Sequence, residues 1–355
     1  MKRRHLPSSS FLVAPNQDGL TLVELMVAMA ISLILVAGIA TLIAQQSGTR
    51  AELDNSNRQM ENGRYAASLL RDDIQHAGFY GHYSGGFTAL TALPDPCDTG
   101  TGLTPTALAS IDASLAFPVQ GYSSPAGGLS PCLPDANHIA GTDILVVRRL
   151  ETVDALSTLN TAVVGQIYVQ TTADAKVTAA GPDPTPGTPT VYTLKQKDAV
   201  TPAEIRKYVQ HIYFLSPCNV HAAGSSTCDA SADGGRQIPT LKRLEMTVVS
   251  GLPSWNTVPL VEGIENMQFD YGVDSTGDGT PNTPFIQAPA VADWPNVMVV
   301  QVNLLARTVQ ASAGYTDSKT YNLGSSGVVG PFSDAYRRHV YTVVARAVNL
   351  SGRKE

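Results

Sequence analysis

Charge is scarce in this chain of 355 residues: Asp, Glu, Lys and Arg together make up 15%, and the formal net charge is −6. Residues 1–19 carry Lys2, Arg3 and Arg4 against Asp18, which leaves the remainder at −8. A surface of that sign repels phosphates, so nucleic-acid binding is not expected as the main activity. Catalytic signatures are missing too. There is no nucleophile elbow, no phosphate-cradling glycine loop and no H-E-x-x-H helix. The seven histidines are scattered, and the six-residue spacing of His76 and His82 suits no helical metal pair. His211 and His339 fall in strand-like segments and read as structural, as do Trp255 and Trp294. No enzymatic activity and no cofactor are expected.

Cysteine is equally sparse, with only Cys97, Cys132, Cys218 and Cys228. None forms a C-x-x-C pair, which excludes the usual redox and zinc-ribbon patterns. An even number in loop-like surroundings suggests an oxidising compartment. Cys218 and Cys228 flank a short polar stretch and would close a small loop, leaving Cys97 and Cys132 to close a longer one. Each bridge would contribute about 2–4 kcal/mol through the unfolded chain.

What the chain does have is a long apolar run. From Leu20 to Ala44 there are 25 residues with one charged side chain, Glu24, and no proline. A helix of that length spans roughly 37 Å, enough to cross a bilayer core. The basic cluster at Lys2–Arg4 should stay cytoplasmic and put the C-terminal bulk outside. An ordinary secretory signal keeps its apolar region inside the leader, whereas here the leader has only the brief patch Phe11 to Ala14. A cut after Gly19 would remove the basic residues and keep the helix. A lone carboxylate at membrane depth costs about 2.5–3.5 kcal/mol, so Glu24 needs a partner or a task. The cut would also create an α-amine on Leu20, a cation that the Glu24 of a neighbouring copy could receive.

The stretch "GLTLVELMVA" resembles the type IV prepilin motif, with Gly19 before the cut, an apolar residue after it and an acid at the fifth mature position. The resemblance implies cleavage after Gly19 and N-methylation of Leu20 by a prepilin peptidase. Phenylalanine is commoner where Leu20 stands.

Beyond Ala44 the pattern becomes amphipathic. Leu53, Met60, Ala67 and Ile74 recur every seven residues, with Leu70 beside them, and Gly78 makes a plausible stop. The two halves predict one helix of nearly sixty residues. Residues 79–141, rich in Gly and Pro, read as a long loop region with room for short strands. Strands are expected at Thr142–Leu150, Val163–Thr171, Arg206–Leu215, Leu241–Val249, Met298–Arg307 and Arg338–Val348. The connection "TAAGPDPTPGTPT" reads as a Pro-rich linker. The fold class is therefore α+β: a long N-terminal helix, then a head built on an antiparallel sheet. The implied organisation is a leader at 1–19, a transmembrane helix at 20–44, an amphipathic continuation at 45–78 and a β-rich head at 79–355.

"GTDILVVRRL", "IRKYVQHIYFL", "LVEGIENMQFDYGVDSTGDGTPN" and "YRRHVYTVVARAVNLSG" resemble segments of the PilW family of minor pilins. That resemblance implies a structural, assembly-initiating subunit of a type IV pilus serving cell adhesion and twitching motility. It would reside in the bacterial inner membrane with a periplasmic head, then in the pilus. Implied partners are the prepilin peptidase, other minor pilins, the major pilin, a PilY-type tip adhesin and inner-membrane lipid. Two other readings stay open: a pseudopilin of type II secretion or DNA uptake, and a membrane-anchored binding or hydrolytic domain that never polymerises. One loop, "DSTGDGTPN", spaces Asp274, Thr276 and Asp278 like the first half of an EF-hand loop, but Phe285 stands where the bidentate acid belongs. A Gly-Asp turn is the expected reading, with Asp274 and Asp278 as weak metal candidates.

Overall fold

The computed structural model describes residues 19, 21–125, 129, 131–134, 137–153, 155–156, 162–181, 192–222, 228–282 and 284–352. The basic cluster, the Phe11–Ala14 patch, Leu20 and most of the Pro-rich connection lie outside them. Two compact units emerge, Met1–Asp54 and Asn55–Glu355.

The first unit contains the start of helix α1 (Leu22–His76), which has 55 residues. No proline interrupts it, and Leu, Ala, Met, Glu and Gln supply good helix formers throughout. Its large apolar side chains from Leu22 to Ile43 are all exposed.

In the second unit α1 has a buried face made of Gln59, Gly63, Ala66, Ala67, Leu70, Asp73 and Ile74. These positions follow the three-and-four spacing of one helix face. The expected seven-residue stripe holds only from Ala67 onward, because Leu53 and Met60 are exposed. The reason is steric. At Gly63 a Cβ would sit 2.1 Å from the Tyr341 ring, so a missing side chain, not an apolar one, seats the helix here. Gln59 donates to the carbonyls of Ala306 and Arg337 at 2.8 and 3.0 Å. The helix stops before Gly78, which adopts φ 72° and donates its N–H to the Arg148 carbonyl.

The region 79–141 is not all loop. Helix α2 (Pro105–Ser114) lies within it, with Thr104 accepting from the Ala107 N–H and proline at its first turn. Strand β1 (Val119–Tyr122) follows. The chain continues through β2 (Ile144–Leu150), β3 (Ile167–Thr171), β4 (Lys176–Ala180), β5 (Ile205–Ser216), β6 (Thr240–Val249) and β7 (Leu252–Glu262). These seven strands form one antiparallel sheet in which β5 pairs with β2, β3 and β6. The first residues of the expected linker belong to β4. A second sheet has the order β12-β9-β8, from β8 (Ile264–Val273), β9 (Val297–Arg307) and, after the two-residue strands β10 (Tyr321–Asn322) and β11 (Val328–Val329), β12 (Arg338–Arg346). β1 is a short strand of the kind allowed for in 79–141, whereas β4, β7, β8, β10 and β11 were not anticipated.

The main core joins Leu70 and Ile74 of α1 to Phe117, Tyr213, Met267, Phe269, Trp294 and Val302. Both sheets therefore contribute to it. A buried acid completes the attachment. Asp73 accepts from Arg149 Nε at 3.0 Å and Tyr213 OH at 2.8 Å, and its other contact is His211 Nδ1 at 2.6 Å. Burial alone would raise the Asp73 carboxyl, but the charges and hydrogen bonds of these partners hold it far below the usual carboxylate range. Disulfides Cys97–Cys132 and Cys218–Cys228, each with Cα atoms 5.3 Å apart, close the two loops.

A carboxylate with a depressed folded pKa stabilises above its unfolded value, near 3.8, and loses that contribution as pH falls through the folded value. Asp73→Asn should therefore cost about 3 kcal/mol at neutral pH. In chemical denaturation the gap to wild type should hold above about pH 5 and shrink progressively below pH 4.

Candidate functional site at the start of the long helix

The N-terminal sequence turns into a helix over a few residues. Gly19 is exposed, Leu20 lies outside the described residues, and α1 begins after Thr21. Thr21 and Glu24 form a reciprocal pair. The Thr21 N–H and hydroxyl donate to Glu24 Oε2 at 3.0 and 2.9 Å, while the Glu24 N–H donates to Thr21 Oγ1 at 3.3 Å. This is a capping box: two backbone donors that a helix start leaves unpaired are satisfied by the two side chains. The signal was legible as T-x-x-E in "TLVE", and reading Glu24 only as a charge overlooked it. Both bonds end on Oε2. Oε1 has no hydrogen-bond partner among the described residues.

The same economy continues along the helix. Ser32 donates its hydroxyl to the Ala28 carbonyl at 2.7 Å, and Thr41 to the Gly38 carbonyl at 2.7 Å. Hydroxyls tied back to the backbone expose little polarity to a hydrocarbon medium. Among the described residues α1 is the one helix long and apolar enough to cross a membrane, and its most apolar stretch is wholly unburied.

The second candidate, at 274–282, is a turn. Asp274 Oδ1 accepts the N–H groups of Thr276 and Gly277 at 3.0 and 2.6 Å, and Oδ2 accepts that of Gly279 at 3.0 Å. Asp278 accepts instead from Thr280 N and Oγ1. Backbone amides thus occupy the Asp274 carboxylate, as in an Asx turn. Among the described residues no group of three or more His, Cys, Asp or Glu side chains could hold a metal ion.

Residues 14–40 match the family described as the prokaryotic N-terminal methylation motif. With the long apolar helix and the antiparallel head, this defines a pilin-like chain anchored through its N-terminal helix, of the type IV pilus class. Residues 227–349 match the family described as Type IV Pilus-assembly protein W. The stretch beginning at Leu260 lies in that range, as does the one beginning at Tyr336 up to Asn349; those at Gly141 and Ile205 lie before it. No curated protein and no solved structure matched the chain.

Thr21→Ala removes the cap, which typically costs about 1 kcal/mol of helix stability. Faster amide exchange at Leu22–Leu25 in micelles, with the rest of α1 unchanged, is the expected result. Calcium should leave the melting temperature of the chain unchanged, because both carboxylate oxygens of Asp274 already accept backbone N–H groups; a rise abolished by Asp278→Ala would show otherwise.

Proposed function

We propose that this chain is a minor pilin of a type IV pilus, cut by a prepilin peptidase after Gly19 and N-methylated on Leu20. The observation that carries this reading is the exposed apolar segment of α1 with Glu24 five residues after Gly19. An apolar helix surface left open by its own chain requires another apolar phase. The inner membrane supplies it before assembly, and helices of neighbouring subunits supply it afterwards. The cytoplasmic basic leader and the disulfides fit a head on the oxidising, periplasmic side.

Glu24 then has two tasks. In the single subunit it caps its own helix, which lowers the cost of holding an acid at membrane depth. In the filament its free Oε1 receives the new α-amine of a neighbour and fixes the axial register. A charge left unpaired in that setting costs several kcal/mol, so misregistered subunits are rejected. Other minor pilins, the major pilin and a PilY-type tip adhesin are the partners of this role, which is structural and not catalytic.

Mass spectrometry of the N-terminus recovered from sheared pili reads cleavage and methylation together. A leader still attached would refute the reading. Glutamine preserves a capping box but not the charge. Glu24→Gln and Glu24→Ala should therefore both insert into the membrane and both fail to enter filaments; normal incorporation of Glu24→Gln would leave only the capping role.

A further inference from the structure

Among the described residues the two larger sheets have several edges, and all but one are closed or blunted. β1 has four residues. The five-residue β4 is covered by Tyr192, whose hydroxyl donates to the Ala179 carbonyl at 2.8 Å. β7 carries Pro253 and Pro259, which cannot donate to an added strand. The outer side of β8 is occupied by Asp143, whose N–H donates to the Met267 carbonyl, and by Ile286, which exchanges both backbone bonds with Tyr271.

β12 differs. It runs nine residues, RHVYTVVAR, without proline or a bulge. Ala347 N–H donates to Met298 O and Thr308 N–H to Arg337 O, which puts the odd-numbered residues in hydrogen-bonded register with β9. The N–H and C=O groups of Val340, Thr342 and Val344 therefore point away from the sheet. No backbone partner receives them among the described residues. Thr342 and Val344 are also exposed. The strand is rigid at its start, where Arg338 is held by Glu265, Asp317 and Asp334.

Along this edge runs a groove of about 420 Å³, walled by Arg64, Ala67, Ser68 and Arg71 of α1 and by Val340–Val343. Arg64 and Arg71 are exposed and form no ion pair with any described residue. No acid lines the groove. Tyr341, whose enclosed hydroxyl finds no partner, lines it as well. An open backbone ladder beside two unpaired cations suits one kind of guest. We propose that the β12 edge takes up an extended, acidic segment of another protein as an added strand, with Arg64 and Arg71 engaging its carboxylates. A second copy of β12 is the wrong guest, because RHVYTVVAR contains no acid and would offer no carboxylate to Arg64 and Arg71. The proposal is independent of whether the chain polymerises.

The test uses the full chain in micelles, with hydrogen exchange followed across residues 338–347 by mass spectrometry. The probe is a short synthetic peptide alternating valine with glutamate; its counterpart alternates valine with lysine. The acidic peptide should slow exchange of the Val340, Thr342 and Val344 amides about tenfold. The lysine peptide should not, and Arg64→Glu with Arg71→Glu should abolish the effect without changing the melting temperature. Equal protection by both peptides, or none by either, would overturn the proposal. So would protection that rises with protein concentration alone, which would mean that the strands pair with their own copies.

Discussion

An apolar helix surface that its own chain leaves bare governs this molecule. From Leu22 to Ile43 the large side chains of α1 are all exposed. A water-soluble fold does not tolerate a continuous apolar surface of that extent, so the segment belongs in a bilayer or among other helices. The remaining features of the segment follow from that requirement. Polar groups must be hidden within the helix itself, and Ser32 and Thr41 turn their hydroxyls back onto carbonyls. The helix start must satisfy its own donors, and Thr21 and Glu24 do so reciprocally.

The same helix serves a different environment from residue 55 onward. Its inner face must meet two sheets closely, and small residues are what permit it. Gly63 admits the Tyr341 ring, and Ala66 and Ala67 continue the close approach before Leu70 and Ile74 enter the core. Packing alone does not fix the rotation of such a small-residue face. Polar contacts add that constraint: Gln59 reaches two carbonyls, and Asp73 engages β2 through Arg149 and β5 through His211 and Tyr213. A helix turned by one residue would carry Gln59 and Asp73 away and leave their buried partners on the sheets unpaired, a loss of about 1–3 kcal/mol for each.

How far the sequence revealed this varies with the kind of signal. The 55-residue helix was legible because composition and length alone force it, and the six expected strands were legible because β-branched and aromatic residues cluster there. The inner face of α1 was half legible. Leu53 and Met60 look like core residues by spacing yet stay exposed, since a heptad reading counts apolar letters and cannot see that a ring needs a vacancy at Gly63. Helix α2 was hidden by a Gly- and Pro-rich neighbourhood, although Thr104-Pro105 is a good helix start. β7 was masked by its two prolines, which an edge strand tolerates. Asp73 and His211 lie 138 residues apart, and nothing local in the sequence joins them.

In the role proposed for it, Glu24 would satisfy a local and an intermolecular demand together. If capping consumed the carboxylate, a neighbour's amine would have to displace hydrogen bonds to a charged group, each contributing about 1.5–3 kcal/mol. The geometry removes that conflict, because Thr21 binds only Oε2. An ionised carboxylate offers about four acceptor positions. The amine can therefore be received on Oε1 while the cap stays closed, so pairing adds to the local bonds and does not replace them. Thr21 also fixes the rotamer of Glu24 before any partner arrives, which removes part of the ordering cost of that encounter. On the proposed reading the cap would be a positioning device, holding the acid ready for a neighbour's amine before any partner arrives.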